Sequence, residues 1–129
     1  MTLGGVIRCE RGVAAVEFAI VSVVLMTLLI GGIDMGRTFY VKNQLSFLAD
    51  RAARAVLVDP DVTDAALQAT LAAEFTAGDS SLLAVNVSAQ TVSGIDFRVI
   101  QIDYPMALFV PFLNYSSLAL NVNRRVPTG

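Results

Sequence analysis

The chain of 129 residues has no histidine, no tryptophan and one cysteine, Cys9. Zinc sites built on imidazole or paired thiols, His-dependent triads and an internal disulfide framework are therefore excluded. Acid and base chemistry would have to come from carboxylates alone. No nucleophile and base arrangement, metal set or Gly-rich phosphate loop stands out, so no catalytic, cofactor-binding or metal residues are assigned. Proline is scarce as well, and none falls before Pro60, so nothing interrupts a helix over 13–58. The length leaves room for one anchor and one outer domain of roughly 70 residues or fewer, which excludes a large enzyme.

What the chain does have is a long apolar run, Val13 to Ile33, holding one carboxylate, Glu17. At about 1.5 Å per residue this makes a helix of roughly 32 Å, enough to cross a bilayer core of roughly 30 Å. A cleaved secretory signal would have a shorter apolar region and a small-residue cleavage site. Here Asp34-Met35-Gly36-Arg37 follows instead, so a retained anchor is expected. Cys9 does not read as a lipidated cysteine, because Arg8 precedes it and the apolar segment comes after it. Arg8 and Arg11 on one side face Arg37 and Lys42 on the other, so charge alone leaves the orientation open.

Beyond the run, Val41, Leu45, Leu48, Ala49, Ala52, Ala53 and Val56 recur at helical spacing, with Lys42, Asn43, Gln44, Ser46, Asp50, Arg51 and Arg54 on the other face. The spacing predicts that the membrane helix continues as an amphipathic stalk over 34–58. An Asp50–Arg54 pair at i,i+4 would support it and Asp59-Pro60 would stop it. Gly31, Gly32 and Gly36 allow a bend at the membrane exit, and Gly32-x-x-x-Gly36 is also a helix-packing pattern. A second helix is expected from about Asp61 or Thr63 to Thr76, with Leu67, Leu71 and Phe75 on one face and Gly78 as a stop.

The period then changes to two. Val85, Val87, Ala89 and Thr91 alternate with polar residues, Ser93-Gly94 makes a tight connection, and a second strand runs from Ile95 to Tyr104, ended by Pro105. Its apolar phase shifts near Val99-Ile100, as a bulge or a central strand buried on both faces would produce. Leu118, Leu120 and Val122 form a third strand. The connection 106–116, with Leu108, Phe109, Val110, Phe112, Leu113 and Tyr115, is apolar for a loop, serving either as core or as a contact surface. The fold class is α+β: a long transmembrane-plus-stalk helix, a short helix and an antiparallel sheet of about three strands. Residues 59–129 carry seven acids (Asp59, Asp61, Asp64, Glu74, Asp79, Asp96, Asp103) against three bases (Arg98, Arg124, Arg125), which disfavours nucleic acid as a partner. Asp59-x-Asp61-x-Thr63 lacks the later positions of a calcium loop, and Arg124-Arg125 reads as a solvated end.

Arg11-Gly12-Val13-Ala14-Ala15-Val16-Glu17-Phe18-Ala19 resembles the processing region of type IV pilin-like proteins, specifically the TadE-like pseudopilins of the tight-adherence (Flp-type) pilus system. Gly32-Ile33-Asp34-Met35-Gly36-Arg37-Thr38-Phe39-Tyr40 is similar to that family's post-membrane signature, where Glu is more usual than Asp34. Ala49-Asp50-Arg51-Ala52-Ala53-Arg54 is similar to its Ala/Arg-rich segment, and Tyr104-Pro105 with Pro111 more weakly to its C-terminal half.

The resemblance implies a precursor with a leader over 1–12 carrying the basic residues Arg8 and Arg11, cut by a prepilin peptidase between Gly12 and Val13. Glu17 would then pair with the new Val13 amine. The anchor would be 13–33, the stalk 34–58, and 59–129 a periplasmic domain of an inner-membrane protein with a cytoplasmic N-terminus. Implied partners are the peptidase, the small major pilin and other pilin-like subunits, a companion pseudopilin, and the assembly platform with its ATPase. Gly32, Asp34, Gly36, Arg37, Tyr40, Ala53 and Arg54 are the signature positions. Two rivals predict different chemistry. A minor pilin of another type IV or type II secretion apparatus shares the processing step but should lack the Gly32 to Tyr40 signature, and an uncleaved membrane-tethered binding domain tolerates Glu17→Gln.

Overall fold

A computed structural model describes residues 10–109 and 117–128. Its first element, α1 (Glu10–Val58), is a single helix of 49 residues. It passes through Gly31, Gly32 and Gly36 without a break, so the permitted bend does not interrupt it. The helix stops where expected: the Asp59 N–H still donates to Ala55 O at 2.9 Å, and the Asp59 carboxylate then accepts from the Asp61 N–H. Pro60 has no N–H with which to continue.

The second helix, α2 (Asp64–Glu74), is capped by the Thr63 hydroxyl, which accepts from the Ala66 N–H. It ends at Glu74 with Phe75 as the extended cap residue, so Gly78 is not its stop. Gly78 is required for space: a Cβ there would collide with the Tyr104 hydroxyl, which accepts from the Asp79 N–H at 3.1 Å. Asp79 in turn accepts from the Ser81 hydroxyl and N–H, capping a short 3-10 turn over Ser80–Leu82. Those two bonds hold the Asp79 carboxyl below the usual carboxylate range, the Ser81 hydroxyl acting most strongly.

Three strands follow: β1 (Ala84–Val92), β2 (Ile95–Met106) and β3 (Leu118–Pro127), antiparallel in the order β1-β2-β3. Ser93 and Gly94 make the β1–β2 turn with φ of 54° and 81°, the left-handed geometry of a two-residue hairpin whose twist matches the strands. β2 is the central strand and carries no bulge, but it is buried on one face only. Pairing is unbroken from Val92↔Ile95 to Ala84↔Asp103. Ile100, Ile102, Tyr104 and Met106 are buried on the helix side, while Phe97 and Val99 are half-buried on the other, where no helix lies.

Two strand ends differ from expectation. β2 continues through Pro105 to Met106, because Pro105 and its β3 partner Ala119 are both exposed and a missing N–H is cheap there. β3 continues through Arg124-Arg125 to Pro127, so that pair is part of the sheet and not a loose end.

The core is one cluster. Val41, Leu45, Leu48, Ala49, Ala52 and Val56 from α1 and Leu67 and Leu71 from α2 close on Val85, Ile100, Ile102, Leu120, Val122 and Val126. Arg98 pins the α1–α2 corner from the sheet, donating to the carbonyls of Pro60 and Val62. Asp50 pairs with Arg124 at 2.6 Å, not with Arg54, because the sheet brings a guanidinium closer than the helix's own next turn does. Arg51 pairs with Glu74 of α2 at 2.8 Å.

Candidate functional site

The apolar run forms the lower part of α1. Val13, Val16, Phe18, Ile20, Val21, Val23, Val24, Leu25, Leu28 and Leu29 are all exposed, with no element of the chain packed on them. It is the one helix among the described residues long and apolar enough to cross a membrane. It is the described residues' candidate membrane anchor. Water would charge about 25 cal/mol for each Å² of that surface, and a bilayer removes the cost. Gly12, Val13, Val16, Glu17 and Ile20 share one open face near the start of α1. Glu17 is exposed on it, one helical turn beyond Val13. Gly12 is itself helical, so a protease acting at Gly12-Val13 must first unwind the opening turn. Arg8 lies outside the described residues; Arg11 falls within α1.

The exit from this segment is where the fold and the signature residues meet. Asp34 is the one buried charged residue among those described, 4% exposed, and its carboxylate accepts from the Phe109 N–H at 2.7 Å. Arg37 stands over the Phe109 ring, 5.4 Å from its centre, a cation–π contact. Thr38 donates its hydroxyl to the Asp34 carbonyl at 2.7 Å. The connection leaving β2 is thereby fastened to the first turn above the apolar run. Of the apolar connection, Leu108 is half-buried and Phe109 exposed; 110–116, with Pro111, lie outside the described residues, so its two readings stay open there.

The other signature positions face elsewhere. A Cβ at Gly32 or Gly36 would meet nothing within 4 Å. Tyr40 is 58% exposed, and Phe47, further up the same side, is 60% exposed. Ala53 packs on the core margin and Arg54 is exposed, with no ion pair among the described residues. The signature therefore divides between residues that face the sheet and residues that face outward.

Comparison with known proteins bears on the helix alone. Residues 12–54 match the family model described as TadE-like protein. The TadE-like segment coincides with the stretch of α1 from the Gly12-Val13 bond to Arg54, and it leaves α2 and the sheet outside. No curated protein and no solved structure matches the chain. Among the described residues no three His, Cys, Asp or Glu side chains are grouped to hold a metal.

Sequence reasoning missed the Asp34 contact, although a signal was present. Asp34 and Thr38 extend downward the alternating spacing of three and four residues that runs through Val41, Leu45, Leu48 and Ala52. A lone carboxylate in a core-facing row must find a donor. The Phe109 N–H, 75 residues away, was not legible from spacing.

Proposed function

We propose that the chain is a TadE-like pseudopilin, made as a precursor, cut by a prepilin peptidase between Gly12 and Val13, and used in assembly or export of a tight-adherence pilus. The observation that carries this reading is the TadE-like match over 12–54 lying along one unbroken helix whose lower part has no partner of its own. The protein acts by assembly. The N-terminus lies in the cytoplasm and the sheet in the periplasm; residues 1–12 are the leader, 13–33 the anchor, 34–58 the stalk, and 59–129 the outer domain.

The chemistry of the N-terminal site follows from its residues. Glycine at the cut bond leaves the backbone unshielded, and its helix propensity, about 1 kcal/mol worse than alanine, lowers the cost of unwinding the first turn into a protease cleft. Cleavage creates an amine on Val13. An unpaired Glu17 carboxylate at the membrane edge is costly, while a close opposite charge offsets much of that cost, so the amine of a neighbouring subunit selects partner and register. Partners are the peptidase, the major pilin, a companion pseudopilin and the membrane platform.

The test is the intact mass and N-terminal sequence of membrane-extracted protein, with and without a co-expressed prepilin peptidase. A peptidase-dependent species about 1.3 kDa lighter and starting at Val13 is expected. An unchanged N-terminus beside a peptidase active on its own pilin would sink the reading and favour an uncleaved tethered domain.

A further inference from the structure

The stalk carries two surfaces of opposite charge that nothing in the chain itself brings together. On α1, Phe47, Asp50, Arg51 and Arg54 line a cleft of about 130 Å³. Asp50 is engaged by Arg124 and Arg51 by Glu74, which leaves Arg54 as the cleft's uncommitted charge among the described residues. At the end of the helix is the acidic α1–α2 corner, with Asp59, Asp61 and Asp64 all exposed. Arg98 sits 3.6 Å from Asp64, and Asp59 caps the Asp61 N–H, so Asp61 has no cationic partner among the described residues.

Arg54 cannot meet that corner within one chain at helical spacing, but a second copy can supply it. Five residues of helix separate Arg54 from Asp59, about 8 Å along the axis. A copy raised by that amount sets its Arg54 level with the first copy's Asp59. Four residues separate Val13 from Glu17, about 6 Å. The same displacement, in the same direction, therefore sets the raised copy's Val13 level with the first copy's Glu17. The reach of an arginine side chain absorbs the difference of about 2 Å between the two steps. Because α1 is unbroken from Glu10 to Val58, a displacement at its foot arrives unchanged at its top.

We propose that the Arg54 cleft of one copy docks on the Asp59–Asp61 corner of a second copy stepped along α1 by about one and a half helical turns. The contact is heterologous. A two-fold along the membrane normal would hold both copies at one height and leave each Arg54 about 8 Å below its partner's Asp59, whereas the stepped contact leaves a free cleft on one copy and a free corner on the other and so does not close at a pair. The upper contact needs only the anchored, upright chain; its coincidence with the Glu17 step rests on the processing proposed above.

The experiment uses the full chain in membranes, with Cys9→Ser, active peptidase, and two distinguishable tags. Copies bearing Arg54→Cys and Asp61→Cys should form a mixed disulfide well in excess of the Arg54→Cys homodimer. Without the added cysteines, Arg54→Glu or Asp61→Arg alone should lower co-purification of the two tagged copies about fivefold. The double reversal on one chain should restore it. Both residues are exposed and without an ion pair among the described residues, and an unchanged melting temperature shows that the fold is intact. A dominant 54–54 disulfide, or a double reversal that fails to restore association, overturns the stepped contact. Glu17→Gln should lower co-purification as well. An uncut N-terminus with intact charge rescue would refute the processing and leave the contact standing. A Val13 N-terminus without charge rescue would do the reverse.

Discussion

The two parts of α1 are one helix with opposite surroundings. Above Asp34, every third or fourth side chain is buried against the sheet or α2; below it, the apolar side chains face outward on all sides. Both are continuous helix, so helicity does not distinguish them. The upper part obtains its stability from this chain's own core, and the lower part from whatever surrounds it in the membrane.

The comparison is broken most forcefully by truncation. Leu45→Ala and Leu48→Ala remove fully buried side chains and should each cost about 2–5 kcal/mol, enough to unfold a small domain. Leu25→Ala, with no intrachain contact to lose, should leave thermal unfolding in detergent within about 0.5 kcal/mol of the parent. Equal losses at the two sites would mean that the lower part has a partner within the chain.

The boundary between the parts is sharpened at Asp34. Asp34→Ala leaves the Phe109 N–H without its acceptor and should cost about 1–3 kcal/mol, with faster amide exchange at Phe109 in NMR. Protection at Phe109 that survives the substitution would remove Asp34 as the fastening point. Gly78→Ala should cost about 1–3 kcal/mol by driving Tyr104 off its hydrogen bond, which tyrosine fluorescence during unfolding would report. Arg124→Ala breaks an exposed pair and should change stability by no more than about 1 kcal/mol, less in high salt.

The smallest effect is one of pH. The folded carboxyl of Asp79 lies below its ordinary 3.8, so its stabilising contribution is fully present above that value and is lost as pH falls through the lowered folded value. Asp79→Asn should therefore lose that small contribution at neutral pH and flatten a shallow acid limb of the stability profile below pH 3.8, so that variant and parent converge as pH falls. An acid limb of the same slope in the variant would assign it to other carboxylates.

Much of this fold was legible in sequence, because its signals are local. The 3.6-residue period of Val41 to Val56, the Asp59-Pro60 stop, the Thr63 cap and the two-residue alternation of Val85 to Thr91 each act within a few neighbours. What escaped was nonlocal. Asp50 reads as a partner for Arg54 until β3 delivers Arg124, Gly78 reads as a helix stop until Tyr104 arrives above it, and Arg124-Arg125 reads as a tail until its pairing with Ile100 and Val99 is seen. That Gly12, Val13 and Glu17 share one helix face follows from their spacing; the division of the signature positions between inward and outward sides needed the sheet.

The fastening of Phe109 to Asp34 has a consequence for how the protein finds what it binds. A domain on a flexible tether samples a hemisphere above the bilayer, trying many orientations at many heights. Here the sheet is fixed to the helix at the point where the helix leaves the apolar run, so the domain turns as an axle turns, at one height and with one face outward at a time. Encounter with a neighbour becomes a search over lateral position and a single angle. The entropy of alignment is settled before the partners meet.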